Sequence, residues 1–100
     1  MSRKFRLSPN ALNDLESIGR YTQKRWGRAQ REVYLRDLDS RFAVLAEQPL
    51  LGRLRHDIAP DYRSVPHKSH MIFYIVRDDG IDIIGLPHQA MDLRGYFTVT

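Results

Sequence analysis

The stretch His70 to Arg77, HMIFYIVR, constrains the fold of this chain more than any other. Its β-branched and aromatic side chains suit a pleated strand. Asp78, Asp79 and Gly80 follow as turn chemistry, and IDIIGL from Ile81 to Leu86 reads as the return strand of a hairpin. Met71, Phe73 and Ile75 point to one face of the first strand, and Ile72, Tyr74 and Val76 to the other. Antiparallel sheets usually leave one face wet. A strand apolar on both sides needs cover on both, from chain ends or from a partner.

The loop length decides which residues oppose each other. A three-residue loop, Asp78 to Gly80, sets Arg77 opposite Ile81, Ile75 opposite Ile83, Tyr74 opposite Ile84, Ile72 opposite Leu86 and His70 opposite His88. A two-residue Asp79-Gly80 loop sets Arg77 opposite Asp82, a charge pair, and Met71 opposite His88. The three-residue loop is preferred, because two aspartates followed by glycine fit a type I turn with a glycine bulge.

Upstream, KFRL from Lys4 to Leu7 alternates as a short strand, with Phe5 and Leu7 on one face. Ser8 is a suitable N-cap and Pro9 a natural first helical residue. Leu12, Leu15, Ile18 and Tyr21 then recur every three residues along a helix that ends near Trp26-Gly27. A second helix from about Arg28 to Glu47 carries Leu35, Leu38, Phe42 and Leu45 as one apolar stripe, with Glu32–Arg36 and Asp37–Arg41 as i, i+4 pairs on its surface. The short join predicts an antiparallel helical hairpin. A loop from Gln48 to about Pro60 leads to a strand at YRSV. The fold class is therefore α+β in the order β-α-α-β-β-β: an N-terminal strand, a helical hairpin and a three-stranded antiparallel meander.

One hundred residues, 42% of them hydrophobic, suit a single domain spanning residues 1–100. No cysteine is present, so packing rather than disulfides must stabilise it. There is no apolar run long enough for a bilayer and no apolar leader at the N-terminus, which points to a cytoplasmic protein with no membrane contact. A net charge of +4 favours an acidic partner. Arg3, Lys4, Arg6, Arg20, Lys24, Arg25, Arg28, Arg31, Arg36, Arg53 and Arg55 are interleaved with acids, so they read as solvated surface more readily than as a nucleic-acid face. Nothing resembles a recognition helix or a base-stacking motif, and sequence-specific DNA binding by this chain alone is not expected.

His70 and His88 are two potential metal ligands. A site needs at least a third, and His67 and Asp92 stand at no recognised spacing, so no metal and no cofactor are expected. His88 as proton carrier with Arg63, Arg77 or Arg94 holding a phosphate would suit RNA cleavage. Ordinary histidines at strand ends are the commoner outcome. Trp26 and Tyr34, beside the helix join, read as core residues in preference to groove lining.

Taken in order, FRLSPNALNDLESIGRYTQKRWG, YLRDLDSRFAVLAEQPLLGR, YRSVPHKSHMIFYIV and DDGIDIIGLPHQAMD resemble the ParE toxins of bacterial type II toxin-antitoxin modules, within the RelE/ParE superfamily. The pieces RWG, QPLLGR, YRSVPHKSHMIFY and LPH with the following MD carry the resemblance. It implies the β-α-α-β-β-β fold, a non-enzymatic toxin that inhibits DNA gyrase, and neutralisation by a ParD-type antitoxin. The antitoxin would lie in a groove for which Phe5, Leu15, Tyr21, Trp26, Tyr34, Leu38 and Tyr74 are candidates. His88, Met91, Asp92 and Arg94 are candidate target contacts. The alternatives are a ribosome-dependent mRNA endonuclease of the RelE kind, using His88, Arg63 and Arg94, and a module member that binds antitoxin but is no longer toxic. Gly85 and Pro87 flank Leu86, and Gln89 and Ala90 follow His88, where the family more often has basic residues. That departure weakens the nuclease reading, and Pro87, lacking an N–H, ends or bulges the last strand.

Overall fold

Strand β1 (Lys4–Leu7) leads directly into helix α1 (Pro9–Trp26), and Ser8 makes the junction. Its hydroxyl oxygen accepts from Ala11 N–H at 3.0 Å and its O–H donates to the Ile84 carbonyl at 3.1 Å. The cap thus ends one element, starts the next and pins both to the neighbouring strand β5, whose range is Gly80–Gly85. The computed structural model describes residues 4–97; Arg3, one of the basic residues named above, lies outside the described residues. Gly27, at φ 94°, adopts the left-handed backbone that lets α1 stop and α2 (Arg28–Glu47) begin at once.

Strands β2 (Arg53–Leu54), β3 (Tyr62–His67), β4 (His70–Arg77) and β5 (Gly80–Gly85) follow, and a short helix α3 (Leu93–Phe97) comes last. The sheet order is β1-β5-β4-β3-β2, with β1 parallel to β5 and the other pairs antiparallel. Strand, helical hairpin and meander appear where the sequence places them. Two elements have no counterpart in that reading: β2, which falls inside the expected loop, and α3. Both are too short for a periodic pattern to reveal.

The hairpin register corrects both readings of the loop. The turn is Asp78-Asp79, and Gly80 already belongs to β5, opposite Arg77. β1 draws it in: Lys4 pairs with Gly80, and a Cβ there would overlap the Lys4 carbonyl oxygen. A bulge at Ile84 then restores the register of the three-residue loop, with Tyr74 opposite Ile83 but Phe73 opposite Gly85. His70 faces His88, as that loop requires. The Arg77–Asp82 charge pair also exists, at 2.8 Å, but across the diagonal, and Asp82 shares its other oxygen with Arg6 at 2.9 Å.

Helix α2 packs Leu38, Phe42 and Leu45 against Ile72, Tyr74, Ile81 and Ile83, as its stripe implies. Phe5 completes this layer, edge-on to Phe42 with ring centroids 5.4 Å apart. The expected i, i+4 pairs give way to Arg31–Glu32 at 3.9 Å and Lys68–Asp37 at 3.2 Å. On the opposite face the chain covers itself. Phe97 of α3 lies 4.8 Å from Phe73 and 5.4 Å from Tyr62, and the Arg55 guanidinium stacks 5.2 Å from the Phe73 ring. Phe73 has no exposed surface left, so at its centre the two-sided strand is buried by the chain's own end and not reserved for a partner.

Candidate functional site

Where α1 ends and α2 begins, a cleft of about 750 Å³ opens between the helical hairpin and the sheet, beside the β3–β4 turn. Ile18, Tyr21, Thr22 and Trp26 line it from α1, Gln30 and Tyr34 from α2, and Lys68, Ser69, His70 and His88 from the sheet. Trp26 is 64% exposed and Tyr21 63%, which corrects the assignment of Trp26 to the core. The α1 spacing explains why. Three residues fall roughly 60° short of a full helical turn, so a three-residue repeat walks around the helix. Leu12 starts outside, Leu15 and Ile18 pass through the core, and Tyr21 comes out again into the cleft.

Tyr34 is half buried, with its hydroxyl 3.2 Å from His70 Nδ1. Burial, and then Asp37, hold its phenol above the ordinary tyrosine range, so near neutral pH it retains its proton. His70 and His88 meet edge to face, with centroids 5.3 Å apart. His88 Nδ1 accepts from the Ala90 N–H at 3.1 Å. Burial, and then His88, depress the His70 imidazole; burial, followed by Lys68 and Arg41, depresses His67. The His67 Nε2 atom is buried without a hydrogen-bond partner.

These shifts set a sign for acid sensitivity. In the unfolded chain an imidazole titrates near 6.5. Both rings titrate lower when folded, so the unfolded chain binds more protons. Their contribution is complete above about pH 6.5 and is lost as pH falls through that value toward the folded pKa. Urea unfolding at pH 7.5 and 5.5 should give a lower midpoint at the acid pH, and the His67→Asn/His70→Asn double variant should narrow the gap. The carboxylates of Asp57, Asp79 and Asp82, held below their ordinary values first by arginine hydrogen bonds, act in a lower window.

The remaining candidates divide. Leu38 and Tyr74 have no exposed surface and belong to the core, so neither lines a groove. Phe5 and Leu15 pack against the core from its edge. Tyr21, Trp26 and Tyr34 come together in the cleft. His88 sits on its rim, next to a corner made by Met91, 46% exposed, and Asp92, whose carboxylate accepts from Arg94 N–H at 3.1 Å to start α3. Tyr96 anchors that helix by donating to the Asp14 carboxylate, which also accepts from Leu86 N–H at 2.8 Å.

Arg63 does not join His88. It opposes Tyr74, four residues and roughly 13 Å along β4 from the His70–His88 bridge, and donates to the Gly52 carbonyl at 2.7 Å. Among the described residues no three histidine, aspartate or glutamate side chains gather to hold a metal. Lys68 was missed from sequence; its only signal is the brevity of the His67-Lys68-Ser69-His70 turn between two strands.

Comparison with known proteins gives one answer. The model of the ParE toxin of the type II toxin-antitoxin system, parDE, matches residues 5–93. Toxin ParE1 of Mycobacterium tuberculosis is 42% identical over 94 residues, covering 93% of this chain and 96% of the relative. Toxin ParE1 of Caulobacter vibrioides is 34% identical, covering 94% and 97%. A solved structure described as the chromosomal ParDE TA system from P. aeruginosa shares the fold, with a TM-score of 0.73 at 15% identity over 87% of this chain and 96% of that one. Matched over nearly its whole length, the chain belongs to the ParE toxin family of type II toxin-antitoxin systems.

Proposed function

We propose that this toxin inhibits DNA gyrase without catalysis and is neutralised by a ParD-type antitoxin that lays a folding segment into the Tyr21–Trp26–Tyr34 cleft. The observation that carries the antitoxin half is the exposure of large aromatics in a concave surface, which isolated soluble chains seldom leave open. Lys24 and Arg25 in the last turn of α1 give the cleft a basic border suited to an acidic segment. The target half rests on family membership, with His88, Met91, Asp92 and Arg94 as the contact corner. His88 belongs to both surfaces, so an antitoxin seated in the cleft would cover one edge of the target corner. The toxin acts in the cytoplasm, where gyrase works, and reads no DNA sequence by itself.

The rival reading, cleavage of ribosome-bound mRNA, needs a proton carrier and cations around one phosphate. The separation of Arg63 from His88 and its tie to Gly52 weigh against that assembly. Purified toxin should inhibit gyrase supercoiling, and stoichiometric antitoxin should restore it. Unimpaired supercoiling at saturating toxin, with discrete cuts in messages from toxin-expressing cells, would overturn the proposal in favour of the nuclease.

A further inference from the structure

The β3–β4 turn carries a conformational oddity. Lys68 has φ 55°, and among the described residues it is the only non-glycine residue with positive φ. His67 and His70 pair across the turn, so Lys68 and Ser69 are its two central residues. Two-residue hairpin turns ask for glycine or asparagine at such a position, because a Cβ crowds the backbone in the left-handed region. A lysine there is a poor choice for folding.

What the strained backbone achieves is placement. The ammonium lies 5.1 Å from the Tyr34 ring centre and 3.2 Å from Asp37, at the sheet-side mouth of the cleft and half exposed. Across the opening stand Tyr21 and Trp26. An ammonium held by one carboxylate and one ring face keeps capacity for a further acceptor, because it has three donors. Outliers of this kind collect where recognition needs a side chain in a fixed place.

We propose that Lys68 is a specificity-determining residue of the cleft, positioned to receive a carboxylate from the occupying antitoxin segment and retained against the preference of its own turn. The inference rests on the cleft being the antitoxin site. It identifies the partner segment by chemistry: an apolar or aromatic face for Tyr21, Trp26 and Tyr34, flanked by an acidic residue that reaches the β3–β4 turn. Binding should weaken with added salt in proportion to this contact.

Lys68→Gly separates recognition from folding, because glycine relieves the turn while removing the charge. Against antitoxin purified from the co-expressed complex, calorimetric titration should show affinity about tenfold weaker than wild type, a loss of about 1.4 kcal/mol. The gap should shrink in 0.5 M salt. The same variant should melt within about 4 °C of wild type, because relief of the turn offsets the lost Asp37 and Tyr34 contacts, and Lys68→Asn, neutral but tolerant of this backbone, should bind as weakly. A melting temperature lowered by about 8 °C or more for Lys68→Gly would assign the residue to the fold and overturn the proposal. Full affinity in both Lys68 variants, with affinity lost in Trp26→Ala, would overturn it while leaving the cleft as the antitoxin site. Full affinity in all three would remove the cleft reading as well.

Discussion

Tyr74→Phe is expected to lower unfolding free energy by about 2–3 kcal/mol and the melting temperature by roughly 10–15 °C. Tyr74 is fully buried, yet its hydroxyl is occupied twice: it accepts from Gly52 N–H at 2.7 Å and donates to the Pro49 carbonyl at 2.8 Å. The loop from Gln48 to Gly52 is thereby fastened to the middle of β4. Phenylalanine fills the same space and leaves both backbone groups without their partner, which is the costly way to lose a hydrogen bond. Gly52→Ala reaches the same joint from the other side. A Cβ on residue 52 would overlap the Tyr74 hydroxyl and ring, and a fully buried ring cannot swing away. Its loss should at least equal that of Tyr74→Phe. Thermal melts of the two single variants and the double variant test the joint directly. Losses that add would refute it, since two changes at one contact must couple.

The same joint shows what was legible in the sequence. QPLLGR carries the family resemblance and falls in the expected loop, but periodicity gives a loop no partner, so its attachment to Tyr74 leaves no trace in the sequence. Alternation puts Tyr74 on one face of a strand apolar on both sides without saying which layer covers it, and only the family resemblance makes it a groove candidate. The long elements lie where the sequence puts them: α1 and α2 carry a cap, a left-handed glycine join and an apolar stripe that agree with one another. The hairpin register was half readable. Its lower end follows the three-residue loop, and its upper end is displaced by β1, a strand more than 70 residues away in sequence that pairs in parallel with β5. The cleft was least readable. Tyr21, Trp26 and Tyr34 are plain in the sequence, but the drift of α1 decides which of its aromatics emerge, and Lys68 carries no periodic signal.

Trp26→Ala/Tyr21→Ala should weaken antitoxin binding by about a hundredfold or more while leaving the fold intact. Both side chains are more than 60% exposed, so truncation removes little core, and stability should stay within about 0.5 kcal/mol of wild type. Exposed aromatics in a concavity are the side chains that dominate binding energy when a partner buries them, each contributing about 2 kcal/mol or more. Arg25 lies over the Trp26 ring with its guanidinium carbon 5.3 Å from the centroid, so a cation already stands beside this aromatic anchor. Leu50, 70% exposed in the loop beyond the other end of α2, is the matched control: an equally open apolar residue outside the cleft lining. Leu50→Ala should leave antitoxin affinity unchanged. Gyrase inhibition by the double variant is the sharper readout. If target contact runs through Met91, Asp92 and Arg94, the variant should still inhibit supercoiling but resist rescue by antitoxin. A variant that lost inhibition and antitoxin binding together, with its fold intact, would place target and antitoxin on one shared surface.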